Sequence, residues 1–211
     1  MNVLHAVIRP TPGQGFREPA RKRVDSQKRA AREALGLAAE RQGLTFGALP
    51  RDEHGAPQAV NGHHWSITHT SDYVGGAAAP WPLGIDIERV REASPEVVAE
   101  AASEAELEVV RRLFGETEPE AFSRLWSAKE ALLKLTGEGL CGLSKVTLSP
   151  SSDLERRPGL WLRHGQGEQF VHQLRHGEHF ASVACGPISH VHWDWKHAAE
   201  TVPHLLKSGN R

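Results

Sequence analysis

Between residues 120 and 136 apolar and polar side chains alternate at helical spacing. Turned at about 100° per residue, Phe122, Leu125, Ala128, Leu132, Leu133 and Leu135 fall on a broad apolar arc. Ser123, Ser127, Glu130 and Lys134 gather in a narrow polar sector. Thr117 and Glu120 have the spacing of a capping box, Pro119 suits the first turn, and Gly137 is a natural stop. Lys129 breaks the pattern, because it projects between Phe122 and Leu125. A lysine there either snorkels out to water or reaches an anion inside the fold. Glu130 and Lys134 lie one turn apart, so their heads can meet each other or one shared ligand.

The period changes to two at Leu83-Gly84-Ile85-Asp86-Ile87-Glu88. Leu83, Ile85 and Ile87 point one way, and Gly84, Asp86 and Glu88 the other. Two carboxylates on one strand face repel unless a cation or partner lies between them; otherwise that face lies in water. Hard oxygen donors of this kind suit Mg²⁺. Gly84 leaves room for a ligand or another backbone.

Around these two segments the pattern predicts a first strand at 1–8, a loop at 10–19, a helix at 24–42 in which Gly36 is a bend or an end, and a short strand at 44–49. Residues 51–62 are turn-rich. Strands follow at 65–70 and 73–79, joined by Ser71-Asp72, and Pro80-Trp81-Pro82 leads stiffly into 84–88. Residues 97–114 carry helical signals; strands are expected at 146–149, 160–163, 169–174 and 180–185, with a hairpin turn at 175–178. Trp193 and Trp195 are expected to pack, and the last residues to fray. A long helix and a few antiparallel strands in each part make an α+β pattern, divided into an N-terminal half at 1–82, a C-terminal half at 83–200 and a tail at 201–211.

Composition narrows the class. The chain has 211 residues, 39% hydrophobic, with a formal net charge of −1, so no global field favours nucleic acid. No stretch reaches the length of a membrane span, and the start lacks a signal-peptide pattern because Arg9 and Pro10 interrupt its short apolar run. Two cysteines, Cys141 and Cys185, do not make a disulfide framework, and a reducing cytoplasm is the default. Charge is nonetheless uneven: Arg21, Lys22, Arg23, Lys28, Arg29 and Arg32 make the first helix basic. That face is either simply solvated or an electrostatic lip for a phosphate-rich ligand or an acidic partner. Among 13 histidines, the spacing of His172, His176 and His179 could suit a metal, but they straddle a hairpin with no Cys or carboxylate completing a set, and exposed strand and turn histidines explain them better.

Gly-Ile-Asp-Ile-Glu at 84–88, followed by Trp-Ser-Ala-Lys-Glu-Ala-x-x-Lys at 126–134, resembles the signature of the 4′-phosphopantetheinyl transferases. Trp65-Ser66-Ile67-Thr68-His69-Thr70 looks like that family's Ser-x-Ser-His-Ser strand, with threonines where serines are usual. The resemblance covers roughly residues 55–185, and the long segment before Asp86 matches the Sfp-like type rather than the short trimeric one. It implies a monomer of two similar α+β halves related by a pseudo-twofold, each a long helix on a small mainly antiparallel sheet, with the active site in the cleft between them. It implies Mg²⁺-dependent transfer of the 4′-phosphopantetheine arm of coenzyme A to a serine of an apo acyl or peptidyl carrier protein, releasing adenosine 3′,5′-bisphosphate. Asp86, Glu88 and Glu130 match the metal ligands, and Glu130 would also serve as the general base, directly or through a metal-bound water. Lys134 would contact the phosphate under attack and Lys129 the pyrophosphate. Thr68 and His69 would bind phosphates; Gly55 and Pro57 would border the adenine. Trp126 reads as packing. Ala56 stands where the family often has lysine, so Arg29, or one of Arg21, Lys22, Arg23 and Lys28, would take the 3′-phosphate. The alternatives are a coenzyme A-binding paralogue without transfer and a Mg²⁺-dependent phosphohydrolase.

Overall fold

The computed structural model describes residues 2–12, 20–153, 158–186 and 190–196. The expected tail at 201–211 and most of the loop at 10–19 lie outside the described residues.

The chain opens with β1 (Val3–Pro10) and α1 (Ala20–Arg41), then the hairpin of β2 (His64–His69) and β3 (Tyr73–Ala79). α1 runs through Gly36 without a break and ends where Gly43 takes a positive φ. Its alanines make a flat apolar stripe: Ala30, Ala31, Ala34, Leu35, Ala38 and Ala39 are buried. Small side chains let the helix lie close on the sheet, and a Cβ on Gly76 of β3 would stand 2.6 Å from the Leu35 backbone.

Residues 44–49 do not form the expected strand. Leu44, Phe46 and Leu49 instead pack as separate anchors against Leu35, Ala39 and Trp65, and the alternation that suggests a strand comes from that packing.

The second half begins with β4 (Leu83–Arg89). The helical signals at 97–114 resolve into α2 (Pro95–Ala101) and α3 (Glu104–Phe114). Ser103 separates them, accepting the Glu106 amide while the Glu106 carboxylate accepts the Ser103 amide. α4 (Glu118–Thr136) starts at Thr117, whose amide donates to Glu120, and ends at Gly137 in the left-handed region. Then come β5 (Val146–Leu148), β6 (Gly159–His164), β7 (Gly167–His176) and β8 (His179–Cys185). Together with β4 they form an antiparallel sheet in the order β4-β8-β7-β6-β5.

The last described strand, β9 (His190–Trp195), returns to the first sheet. It pairs in parallel with β1, from Val3 with His190 to Ile8 with Trp195, completing the order β2-β3-β1-β9. The chain thus crosses from the second sheet back to the first after β8. The returning strand is pinned by Asp194, which takes Arg9 at 2.6 Å and also pairs with Arg41 of α1.

The layers run helix, sheet, sheet, helix. Leu83 and Ile85 of β4 and Val183 of β8 pack against Leu4, Ala6, Ala77 and Ala79 of the first sheet. The opposite face of β4 meets α4. A Cβ on Gly84 would stand 2.0 Å from the Ala131 carbonyl oxygen and 2.7 Å from the Leu135 amide, so the helix backbone lies directly on the strand.

Gly84→Ala is expected to destabilise the fold at or beyond the upper end of the roughly 1–3 kcal/mol typical of overpacking. Gly36→Ala on α1, where a Cβ would meet nothing within 4 Å, should stabilise it by about 0.5–1 kcal/mol. Urea denaturation of the two variants measures both signs.

Candidate active site

The edge strands of the two sheets meet at β2 and β4 through side chains rather than a backbone ladder. Ser66 Oγ accepts the Ile85 amide at 3.2 Å, and Thr68 Oγ1 accepts the Ile87 amide at 3.3 Å. The period of two puts both hydroxyls on the same face of β2, opposite two outward amides of β4. Thr68 also donates to Asp86 Oδ1 at 3.1 Å. Its hydroxyl is thus spent within the protein and orients a carboxylate, rather than reaching out as the expected phosphate contact.

Asp86 is buried. Its Oδ1 also receives Lys134 Nζ at 2.6 Å, while Lys134 donates to the Ile85 carbonyl at 3.2 Å. Asp86 Oδ2 is buried without a hydrogen-bond partner among the described residues. An unsatisfied buried carboxylate oxygen is costly, and such an atom in a cleft marks a place for a ligand. Glu88 receives the Trp126 indole N–H at 3.1 Å. Burial and the neighbouring Asp86 charge push the Glu88 carboxyl up to about 7. Burial, followed by the Asp86 charge, also raises Glu130, against the pull of Lys134. Glu88 and Glu130 thus both feel the charge of Asp86, as carboxylates sharing a site do.

These groups line a cleft of about 620 Å³ between the halves. α1 contributes Lys28 and Arg32, the loop after it Arg51 and Gly55, β2 Thr68 and His69, β4 Asp86 and Glu88, and α4 Glu130 and Lys134. His69 is held below its ordinary value by partial burial and by the charges of Lys134 and Lys28, so it is neutral at pH 7. An adjoining cleft of about 630 Å³ shares Arg51, Gly55, Glu130 and Lys134 and is walled by Ala56, Pro57, Ile67, Leu133, Leu140 and Cys141. Its lining is more apolar, as a base or an alkyl chain would need. A larger hollow of about 820 Å³ under α1 has an apolar lining relieved by Arg32 and Glu40, and it does not reach the carboxylates.

Two further expected contacts are not where the pattern suggested. Lys129 does not reach the cleft: its Nζ donates to the Ala101 carbonyl at 2.8 Å and pairs with Glu106 Oε1 at 2.9 Å inside the second half. The anion that accounts for its place on the apolar arc is an internal glutamate. Arg29 is exposed and is not part of either cleft lining, whereas Lys28 and Arg32 on the neighbouring flank of the helix face the acids. With the buried stripe centred on Ala31, Ala34 and Ala38, the helical period turns Arg29 straight away from the sheet. In the sequence Arg32 reads only as part of a basic run and Arg51 as part of a turn-rich stretch; their shared cleft arises from the chain path. Arg51 stands 5.0 Å above the Trp65 ring and donates to the Gly55 carbonyl.

The residues partly fit a divalent cation. Asp86, Glu88 and Glu130 line the same cleft and leave one buried oxygen unsatisfied, but among the described residues no three His, Cys, Asp or Glu stand close enough together to hold a metal ion by themselves. Such an open arrangement suits Mg²⁺, which keeps waters and takes ligands from phosphate.

Fold and site define a two-half α+β protein whose seam sets three carboxylates against a rim of cationic side chains. Residues 82–185 match the 4′-phosphopantetheinyl transferase superfamily. It is 33% identical over 91 residues to the 4′-phosphopantetheinyl transferase psf-1 of Bacillus pumilus, covering 43% of this chain and 39% of that one. It is 30% identical over 113 residues to a 4′-phosphopantetheinyl transferase of Bacillus subtilis, covering 53% and 48%. Over 90 residues it is 29% identical to the 4′-phosphopantetheinyl transferase gsp of Aneurinibacillus migulanus, covering 43% and 38%. The chain thus spans less than half the length of these relatives. No helix among the described residues is long and apolar enough to cross a membrane.

Lys129 is buried and Glu106 partly buried, and their ammonium and carboxyl respond differently. Burial dominates at Lys129 and lowers it. At Glu106 burial is outweighed by donors from Ser103, Lys129 and Leu148, which hold the carboxyl below its ordinary value of 4.5. A depressed carboxyl contributes stability that is complete above its unfolded value and is lost as pH falls through the folded one. Lys129→Met, which strands Glu106, is expected to cost about 3 kcal/mol or more. Glu106→Gln should flatten the acid limb of stability below pH 4.5, the ordinary value of that carboxyl. Chemical denaturation across pH checks both.

Proposed function

We propose that the protein transfers the 4′-phosphopantetheine arm of coenzyme A to a serine hydroxyl of an apo acyl or peptidyl carrier protein, releasing adenosine 3′,5′-bisphosphate. The observation that carries this reading is the confrontation of Asp86 and Glu88 on β4 with Glu130 and Lys134 on α4, in one cleft rimmed by Lys28, Arg32 and His69.

The cationic rim supplies what a phosphate-rich ligand needs. Lys28, Arg32 and Arg51 stand on the α1 side, where they take the role that Ala56 cannot and that Arg29 faces away from. The more apolar arm of the cleft, with Gly55 and Pro57, borders the adenine. His69, neutral at the rim, offers a ring N–H to a phosphate oxygen without the cost of charging.

Asp86, Glu88 and Glu130 would hold Mg²⁺, which neutralises the charge of the pyrophosphate when bound. Lys134 brings its ammonium to the phosphate under attack; it already sits at the acids through its 2.6 Å contact with Asp86. Glu130, whose carboxyl is raised by burial and by Asp86, accepts the proton of the carrier serine, directly or through a water. The serine oxygen then forms its bond to the β-phosphorus, and the bond from that phosphorus to the bridging oxygen breaks, so the bisphosphate departs with the electron pair. Both walls of the cleft come from one chain, which supports a monomeric enzyme. Unpaired Cys141 and Cys185 agree with a reducing cytoplasm.

Incubation with apo carrier, coenzyme A and Mg²⁺ should add about 340 Da to the carrier, the mass of the arm delivered by this phosphoryl transfer. Several unrelated carriers left unmodified would sink the proposal. Tight coenzyme binding without transfer would mark a binding paralogue, and coenzyme cleavage without carrier a phosphohydrolase. Glu130→Gln should lower kcat far more than it weakens coenzyme binding.

Arg32→Ala should raise the KM for coenzyme A by about 10-fold or more, the loss of one charge-assisted hydrogen bond. Arg29→Ala should leave that KM within about twofold, as an exposed charge outside the cleft does. Steady-state kinetics with varied coenzyme separates the two arginines.

A further inference from the structure

On α4, Phe122, Trp126, Glu130 and Lys134 recur every fourth residue and form a single stripe. Two members of that stripe donate to the two carboxylates of β4. Lys134 Nζ reaches Asp86 at 2.6 Å, and the Trp126 indole N–H reaches Glu88 Oε1 at 3.1 Å. The indole is itself clamped. Its ring stacks on Phe122, with centroids 6.0 Å apart and planes inclined by 24°, and it packs on the core of the second half.

The chemistry of the donor is informative. An indole N–H only donates, carries no charge and does not rotate independently of its ring. It therefore fixes one carboxylate oxygen without supplying the counter-charge that a lysine or arginine would. A glutamate has three side-chain torsions, and on a surface strand it samples several rotamers. Here the rigid ring selects among them and engages only one oxygen, leaving the second for another ligand.

We infer that Trp126 is a positioning residue: its indole N–H, held by the stack on Phe122, orients the Glu88 carboxylate toward the cleft for cation binding. The contact stands on the geometry alone, and its catalytic consequence rests on the proposed Mg²⁺-dependent transfer. A ligand-orienting partner of this kind is worth about 10–100-fold in metal affinity or activity.

The test uses the full chain and Trp126→Phe, which keeps a ring to stack on Phe122 but removes the donor. The chain has six tryptophans, and an amide proton–nitrogen correlation spectrum resolves their indole signals. Trp126→Phe should delete one signal, Glu88→Gln should move that same signal, and Mg²⁺ alone should shift it in the unaltered protein. In the transfer assay, Trp126→Phe should raise the Mg²⁺ concentration giving half-maximal rate by about 10-fold or more. The KM for coenzyme A should move by no more than about twofold, and saturating Mg²⁺ should recover most of kcat. An unchanged Mg²⁺ requirement in Trp126→Phe, or an indole signal indifferent to Glu88→Gln, would overturn the inference. Should Trp126→Phe not fold, the response of the indole signals to Glu88→Gln still decides, because Trp126 is intact there. If Glu88→Gln and Mg²⁺ both move the signal while the unaltered protein does not transfer the arm, the inference stands and the proposed function falls; an indole signal indifferent to Mg²⁺ overturns the inference.

Discussion

The close approach of α4 to β4 at Gly84 is the constraint on which the rest of the molecule depends. Glycine has no side chain to hold the helix off, so the Ala131 carbonyl and the Leu135 amide occupy the space a Cβ would need. At that separation the stripe containing Trp126, Glu130 and Lys134 lies within hydrogen-bond reach of Asp86 and Glu88. One residue along the strand in either direction, the side chains point the other way. Leu83 and Ile85 enter the core between the two sheets. β4 therefore serves as the wall of the cleft on one face and as the floor of the protein's central core on the other. Gly76 gives α1 an equivalent seat on the first sheet, against the Leu35 backbone.

Both sheets end at this seam, and exposed edges normally invite pairing with another chain. Here Ser66 and Thr68 fill the role of a neighbouring strand by accepting the amides of Ile85 and Ile87. A hydroxyl-mediated seam leaves the edges farther apart than a backbone ladder and so leaves room for a ligand above it. Thr68 joins this seam to the chemistry, since the same hydroxyl that accepts an amide donates to Asp86.

Buried charge separates structural from functional groups. Arg124 is clasped by Glu116 and Gln173 and lies over the rings of Phe114 and Phe180. Lys129 is satisfied by Glu106 and the Ala101 carbonyl. Such groups have their charge met by an internal counter-ion and further acceptors, as buried charges that only hold a fold together must. Asp86 is the contrast, a buried carboxylate with one oxygen unpartnered among the described residues and two further acids lining its cleft. Proteins tolerate that arrangement where a ligand completes it.

Local signals were enough for much of this. The period of two at 83–88 committed Asp86 and Glu88 to one face, and the capping residues Thr117 and Glu120 with Gly137 bounded the helix that opposes them. The motif order carried the family resemblance because its residues bear chemistry at spacings that do not depend on the rest of the chain. What the spacing could not express was which neighbour each side chain meets. Lys129 is out of place on an apolar arc in any helix, but whether its anion is a ligand or Glu106 depends on where α3 crosses α4. Lys28 and Arg29 are adjacent in a basic run, and only the docking of α1 through its alanine stripe turned one to the cleft and the other to water. β9 has no local mark of the sheet it joins; the free edge of β1 chose it. The sequence by itself determined the faces, the caps and the reactive groups, because these follow from periodicity and side-chain chemistry within a few residues. Only the tertiary structure decided the partners, because a charge is satisfied by whatever the packing of distant segments brings within a few ångströms of it.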